Sequence, residues 1–359
     1  MGAPITPTDR WDNSDIDMII DVRSPAEFAD DHIEGAINLP VLSNEERAEI
    51  GTIYKQISPF EARRKGAALV SQNIAHHLQS VLKDKPSNFK PLIHCWRGGQ
   101  RSRSFATICS EIGWPSYILE GGYKAYRSAV VKALEITPSQ FELRLISGPT
   151  GSAKTRLLTQ IKVQGGQILD LEALAVHRGS LLGADPNNPQ PSQRFFETKL
   201  YSALSKLSAA QPVYVEAESA KIGKLYIPKT LWQSMCDAPA VTLSMPQKSR
   251  VAFLLEDYDH LFSQPAVFER LIEGMRHRHS KEMTNQWSEA LTAKEWPQLA
   301  EILLQEHYDP AYSQSAGRHN RPYNWELSLA DGQQKSLSDA ATTILDDTQW
   351  QIGQKATDA

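Results

Sequence analysis

The sequence predicts a two-unit α/β protein built on mainly parallel sheets. Three observations carry this. A length of 359 residues corresponds to about two domains at roughly 150 residues each. Short apolar runs alternate with helical patterns, the order that yields a parallel sheet covered on both faces. Two of the strand-to-helix turns are rich in glycine, His94 to Ser102, which also holds Arg97 and Arg101, and Gly148 to Thr155, which holds Lys154.

The first unit reads as a strand over Asp17 to Val22, a helix over Pro25 to Asp30 and a short strand over Ala36 to Leu39. A long helical stretch follows to Leu82. The apolar run Pro91 to His94 ends abruptly at Cys95, Gly98-Gly99 opens a helix over Arg101 to Ile112, and Ser116 to Leu119 is a further strand before Gly121-Gly122. A helix through Leu134 and the turn Thr137-Pro138-Ser139 mark the boundary. The second unit opens on the strand Glu142 to Ser147 and a helix over Lys154 to Val163, with strands at Gln167 to Leu171, Val213 to Ala217 and Ala240 to Ser244. From Pro246 to Tyr308 the pattern is helical, with Trp287, Leu291, Trp296, Leu299, Ile302 and Leu303 as a core stripe. Tyr323 to Leu329 reads as a last strand and Ser338 to Leu345 as a last helix. The expected domains are residues 12–130 and 140–350, the second with a helical part at about 246–315.

Composition narrows the classes. Apolar residues at 41% and charged residues at 22% are ordinary globular usage, and no run approaches the roughly 18 apolar residues of a membrane helix. Three cysteines without a C-x-x-C pair argue against a disulfide framework or a structural zinc site, so a reducing cytoplasm is expected. No secretory signal is visible, and the loose myristoylation match at Gly2 and Thr6 reads as chance beside Pro4. The net charge of −4 hides an asymmetry, with three basic and twelve acidic side chains in residues 1–50, and eight basic and three acidic in residues 85–135. Binding of a polyanion depends on that distribution, not on the sum.

Cys95 stands directly after a buried strand and before a helix, where backbone N–H groups stabilise a thiolate. Arg97, Gly98 and Gly99 belong to the same loop, and Arg101 lies within reach of an anion held there, its planar fork suited to a tetrahedral oxyanion. Cys109 and Cys236 lack such a cradle and read as structural. The stretch Asp21-Val22-Arg23-Ser24-Pro25-Ala26-Glu27-Phe28, with His32-Ile33-Glu34-Gly35-Ala36-Ile37-Asn38-Leu39-Pro40, resembles the opening signature of rhodanese-like domains. In that family the cysteine carries a chalcogen, or does phosphatase chemistry when its loop is longer. The string His94-Cys95-x-x-Gly98-x-x-Arg101-Ser102 also matches the cysteine phosphatase signature. Cysteine to arginine spans seven residues, one more than in ordinary sulfurtransferases of the family, which suggests a ligand with a phosphate-sized anionic group.

Gly148-Pro149-Thr150-Gly151-Ser152-Ala153-Lys154-Thr155 resembles a Walker A loop. Its N–H groups would cradle phosphates, Lys154 would neutralise their charge and Thr155 would bind magnesium. Ala153 departs from the usual glycine, which puts ATP hydrolysis in doubt more than phosphate binding. Asp170, Glu216 and Glu218 end strand-like runs and are candidate carboxylates for a metal or substrate. A rhodanese-like domain followed by this P-loop resembles the bacterial tRNA 2-selenouridine synthase family. Further strings add to the match: Leu169 to Glu172, His177 to Ser180, Gln190 to Gln193 with Phe196-Glu197, Val215 to Ser219 with Ile222-Gly223, and His307 to Tyr312.

The resemblance, over about residues 12 to 315, implies a rhodanese-like parallel-sheet domain, then a P-loop NTPase-like domain with a helical C-terminal part. It implies a transferase that alkylates the 2-thio sulfur of the tRNA wobble uridine with geranyl diphosphate and replaces it with selenium from selenophosphate. No tightly bound cofactor is implied. The Gly148-Pro149-Thr150 opening also resembles tRNA isopentenyl transferases, so Lys154 and Thr155 are expected on the diphosphate. Cys95 would receive selenium as a perselenide, with Arg97, Arg101 and the Gly98-Gly99 amides on the anion. Selenophosphate or a nucleotide in the P-loop stays open, as does a selenium-delivering protein. Arg276, Arg278, Arg318 and Arg321 are candidate contacts to the anticodon region, the last two beside Tyr312 and Tyr323. Two rivals are a rhodanese-fold cysteine phosphatase and a P-loop kinase or NTPase with a rhodanese module.

Overall fold

Five parallel strands form the sheet of the N-terminal unit: β1 (Ile5–Thr8), β2 (Met18–Asp21), β3 (Ile37–Asn38), β4 (Pro91–His94) and β5 (Ser116–Leu119), in the order β1-β5-β4-β2-β3. The computed structural model describes residues 2–178, 183, 188–217, 219–259, 262, 265–316, 324–346 and 348–351. Its chain forms two compact units, 1–133 with 191–202 and 134–190 with 203–359. The central strand β4 is buried along its whole length, His94 included, as a strand covered on both faces requires. Ile20, Ile93, Phe105, Ala106 and Cys109 pack together beside it.

The residues of the rhodanese-like signature act as scaffold. Arg23 forks onto Asp21 in a fully buried ion pair, stacks 3.8 Å over the Tyr123 ring and donates to the Asp31 carbonyl. Tyr123 closes the ring with a 2.6 Å hydrogen bond to the Asp31 carboxylate, and Asn38 ties the carbonyls of Asp21 and Arg23. Removing one partner of such a buried pair leaves an uncompensated charge, a cost of about 3–5 kcal/mol.

Two features of this unit differ from the sequence reading. β1 was not expected, because Ile5-Thr6-Pro7-Thr8 carries no apolar alternation; it is an exposed edge strand, where proline is tolerated. The single long helix is two, Asn44–Gln56 and Pro59–Gln79, because Ser58 accepts the N–H groups of Phe60 and Glu61 and Pro59 starts a new first turn. Residues 191–202 belong with this unit. Arg194 pairs with Asp30 at 2.8 Å, Glu197 with Arg127, and the Phe195 ring lies 4.2 Å from His32.

In the second unit β6 (Leu143–Ser147), β7 (Gln167–Leu169) and β8 (Val213–Glu216) share a parallel sheet with two later strands. A small antiparallel hairpin, β9 (Lys221–Ile222) and β10 (Leu225–Tyr226), lies between them in the chain. With β11 (Ala240–Ser244) and β12 (Asn324–Ser328) the sheet order is β12-β11-β6-β8-β7. β6 is therefore the middle strand, and the turn after it opens at the carboxyl end of the sheet, where ligands of open α/β folds bind. β7 stops at Leu169, short of the expected Leu171, because Asp170 caps the short helix Leu171–Ala175 by accepting the Ala173 N–H at 2.8 Å. The last helix starts at Gln334, earlier than expected.

The expected helical part is a series of short helices, Gln247–Asp257, Pro265–Met275, Lys281–Thr292, Trp296–Leu303 and Asp309–Ala316. Trp287, Leu291, Leu299 and Leu303 are buried in one cluster with Phe268, and Trp296 and Ile302 pack against it. The apolar stripe is thus core. Among the described residues no helix is long and apolar enough to cross a membrane.

Candidate functional site

Each unit holds a pocket at a strand-to-helix turn. In the first, Cys95 lies at the floor of a cleft of about 640 Å³ lined by Glu27, Arg47, Trp96, Arg97, Gly99, Gln100 and Arg101. The loop is held from below by the helix Gly122–Ile136, whose Tyr123 and Lys124 N–H groups donate to the carbonyls of Cys95 and Trp96 at 2.9 and 3.0 Å. A side chain at Gly122 would stand 2.3 Å from the Cys95 carbonyl oxygen, and its φ of +59° is left-handed. The Gly121-Gly122 turn is therefore part of the cysteine loop's support.

The Gly99 N–H donates to the Cys95 Sγ at 3.2 Å, and the Ser102 hydroxyl lies 3.3 Å from it. Burial alone pushes this thiol up. Hydrogen bonds from the Ser102 side chain and from the Ser102 and Arg97 backbone, with the Arg101 charge, outweigh burial and bring it below its ordinary value. Cys109, buried inside the helix Gln100–Ile112, is pushed up to about 12 by burial. A thiol held low is the more reactive one, which makes Cys95 the candidate nucleophile of the two. Arg101 pairs with Glu27 at 2.9 Å, and Arg47 lies 4.0 Å from the same carboxylate. Burial works against the Glu27 charge, yet Arg101 and the Ser24 N–H hold its carboxyl below the usual range. The sequence reading assigned no role to Glu27, Arg47 or Ser102, although Glu27 stands inside the quoted signature.

In the second unit a cleft of about 560 Å³ is lined by all six expected loop residues, Gly148, Gly151, Ser152, Ala153, Lys154 and Thr155. Ala153 takes the left-handed conformation that the usual glycine would take, φ 59° and ψ 27°, so the turn closes despite its Cβ. The Lys154 ammonium donates to the carbonyls of Gly148 and Pro149. Thr155 Oγ1 donates to Glu172 at 3.5 Å, and the buried Glu216 ends β8 at the cleft wall. Asp170 serves as the helix cap described above and is not part of this lining. Arg278 lines the cleft, whereas Arg276 is exposed and pairs with Glu273 at 2.9 Å. Glu218, Arg318, Arg321 and Tyr323 lie outside the described residues.

Glu172, Arg178 and His307, to which sequence reasoning gave no role although each stands in a quoted string, also line the cleft, as does Tyr312, expected beside Arg318 as an aromatic neighbour. Beside the cleft is a narrow apolar slot of about 50 Å³, walled by Phe262, Phe268, Trp296, Leu299, Ala300 and Leu303. Thr150, Leu254, Tyr258 and Tyr308 line both, so the slot adjoins the cleft.

Comparison with known proteins finds matches to both units. A family model described as a rhodanese-like domain matches residues 7–129, and one described as the tRNA 2-selenouridine synthase AAA domain matches residues 141–276. The chain is 33% identical to a tRNA 2-selenouridine synthase of Alcanivorax borkumensis over 84% of its own length and 90% of the relative's. For a Marinobacter nauticus protein of the same name the figures are 32%, 82% and 87%. A Nitrosomonas europaea relative is 38% identical over 67% of the chain, and that match spans 63%, under two thirds, of the relative's length. A cysteine loop on a rhodanese-like sheet, a Walker-A-like glycine loop on the sheet that follows and relatives matched across both units together place the chain in the tRNA 2-selenouridine synthase family.

Proposed function

We propose that the protein converts 2-thiouridine at the tRNA wobble position to 2-selenouridine through an S-geranyl intermediate, acting as a transferase on geranyl diphosphate and selenophosphate. The observation that carries the first step is the apolar slot that adjoins the Gly148–Thr155 cleft and shares Thr150, Leu254, Tyr258 and Tyr308 with it. A ligand fitting both is an amphiphile, with phosphates at one end and a hydrocarbon chain at the other. The slot takes the leading part of the geranyl chain and the cleft the rest. Lys154, Arg278 and the loop N–H groups hold the diphosphate. Thr155, Glu172 and Glu216 supply the hard oxygen ligands suited to a magnesium ion, which would screen the leaving group's charge. The uridine sulfur attacks the allylic carbon, and the carbon–oxygen bond breaks with loss of diphosphate.

Alkylation converts the sulfur into a thiol leaving group. Selenium in selenophosphate is already fully reduced, so a perselenide on Cys95 would require an oxidant. The redox-neutral course has the Cys95 thiolate add to C2 of the alkylated base and expel geranylthiol. Selenophosphate then displaces Cys95, and water releases phosphate. Arg97, Arg101 and Arg47 supply the cations for that phosphate, with Gly99 in the lining and Gly98, at a φ of +67°, turning the loop. The tRNA is held by basic side chains outside the two pockets, among which Arg276 is exposed.

The test is mass spectrometry of nucleosides from 2-thiouridine tRNA incubated with both donors. Wild type should yield 2-selenouridine, Cys95→Ala should stop at the S-geranyl nucleoside and Lys154→Ala at 2-thiouridine. Unchanged tRNA with wild type sinks the proposal and turns attention to phosphatase and nucleotide turnover.

A further inference from the structure

His279 and His307 come from separate pieces of the helical part and meet beside the phosphate cleft. The chain leaves the single turn Arg276–Arg278 in an extended conformation at His279. The second histidine stands in a widened π-turn, Leu304–Tyr308, between the helices Trp296–Leu303 and Asp309–Ala316. Such turns interrupt the regular helical register and recur at functional sites. Here the turn brings His307 to the cleft wall together with Tyr308.

The pair is fixed from both sides. His279 Nε2 lies 2.9 Å from His307 Nδ1, and the His279 ring sits edge-on to the fully buried Trp287 at 4.8 Å. The residue pair after His307 ends at Asp309, which Arg250 clamps while also holding the Thr150 carbonyl of the phosphate loop. One ring nitrogen of each histidine is committed to the shared hydrogen bond. His307 Nε2 has no hydrogen-bond partner among the described residues, and its ring lines the cleft. A hydrogen bond between two imidazoles needs one N–H and one lone pair, so the contact as built holds no more than one positive charge.

We infer that His307 is the general base of the alkylation step and that His279 is its positioning residue; this deepens, and rests on, the reading of the cleft given under Proposed function. When the sulfur of 2-thiouridine bonds to the allylic carbon, the carbon–oxygen electron pair leaves with diphosphate and the pyrimidine becomes cationic. Loss of the N3 proton restores a neutral ring with an N3–C2 double bond. That proton passes to His307 Nε2, while His307 Nδ1–H donates to His279 Nε2, and the imidazolium returns it to solvent after release. Burial and the nearby His279 and Arg278 keep His307 below the ordinary histidine value, which favours the neutral form that a base requires.

The experiment uses the full chain, a 2-thiouridine anticodon stem-loop RNA and geranyl diphosphate in single turnover, with inorganic pyrophosphate as a separate binding probe. His307→Ala should slow alkylation by about 10²–10⁴-fold with pyrophosphate affinity unchanged, and added imidazole should restore part of the rate. His307→Gln, which keeps much of the volume, should be slow without being destabilised, and His279→Gln should lose rate to a smaller extent. Wild-type rates in His307→Ala overturn the base alone. Loss of rate together with pyrophosphate binding, and no rescue by imidazole, overturns it in favour of a structural role. A wild-type chain that binds pyrophosphate and forms no alkylated nucleoside overturns the prenyl reading, and the base with it.

Discussion

Arg250 and Asp309 form a two-pronged ion pair, at 2.9 and 2.6 Å, on the flank of the phosphate loop. The same guanidinium donates through Nε to the Thr150 carbonyl at 2.8 Å. One buried side chain thus joins the loop after β6, the helix Gln247–Asp257 and the segment carrying His307. Asp309→Asn should weaken this join by about 1–2 kcal/mol, the range for a pair whose acid is partly exposed. Thermal unfolding should fall by a few degrees and pyrophosphate should bind several-fold less tightly; an unchanged affinity would show that the loop keeps its shape without the clamp.

Cys95 should be a thiolate at lower pH than an ordinary cysteine, because its donors outweigh its burial. The rate of its reaction with iodoacetamide should rise with pH through a midpoint below the usual thiol value of about 8.5. Ser102→Ala and Arg101→Gln each remove a group that favours the charged form, so both should move that midpoint upward. A midpoint that stays put in Ser102→Ala would mean that the hydroxyl serves only the Gly99 carbonyl, 3.1 Å away.

Gly122→Ala should disrupt the cysteine loop, since the new Cβ would meet the Cys95 carbonyl oxygen at 2.3 Å and the Gly98 nitrogen at 2.6 Å. With the left-handed φ included, a loss of about 2–4 kcal/mol and of thiol reactivity is expected. Gly113→Ala is the control, because its φ of +105° is strained but its Cβ meets nothing within 4 Å. It should cost about 1–2 kcal/mol and leave the thiol reactive. Equal losses in chemical denaturation would refute the close-approach argument.

Ala300→Phe should fill the apolar slot. Excluding two or three methylenes of the chain at roughly 0.8 kcal/mol each corresponds to about 10- to 60-fold weaker binding of geranyl diphosphate. Pyrophosphate, which reaches only the phosphate loop, should bind as before. Calorimetric titration of both ligands checks this, and equal weakening would show that the substitution distorts the loop itself.

Both candidate sites were legible because each is a local structure. A strand, a glycine turn and a helix N-terminus are contiguous in sequence, and Cys95 and Lys154 stand where that geometry concentrates backbone N–H groups. Ala153 shows the limit of such reading. Its departure from glycine raised a question that only the backbone answered, by adopting the left-handed conformation with a Cβ in place.

What the sequence determined by itself was the order of two α/β units, the glycine turn between strand and helix at each candidate site and the apolar stripe through Trp287 and Leu303, because periodicity and turn chemistry act within a few residues. Tertiary structure alone decided which distant side chains complete those loops. Glu27 meets Arg101 across 74 positions, Arg250 meets Asp309 across 59, and His279 meets His307 across 28. No local propensity encodes such pairs, since the strand order and helix packing that bring them together arise from burying the whole core at once. The slot beside the phosphate loop has the same origin, because its walls are core residues that become a site only where the packing leaves a gap.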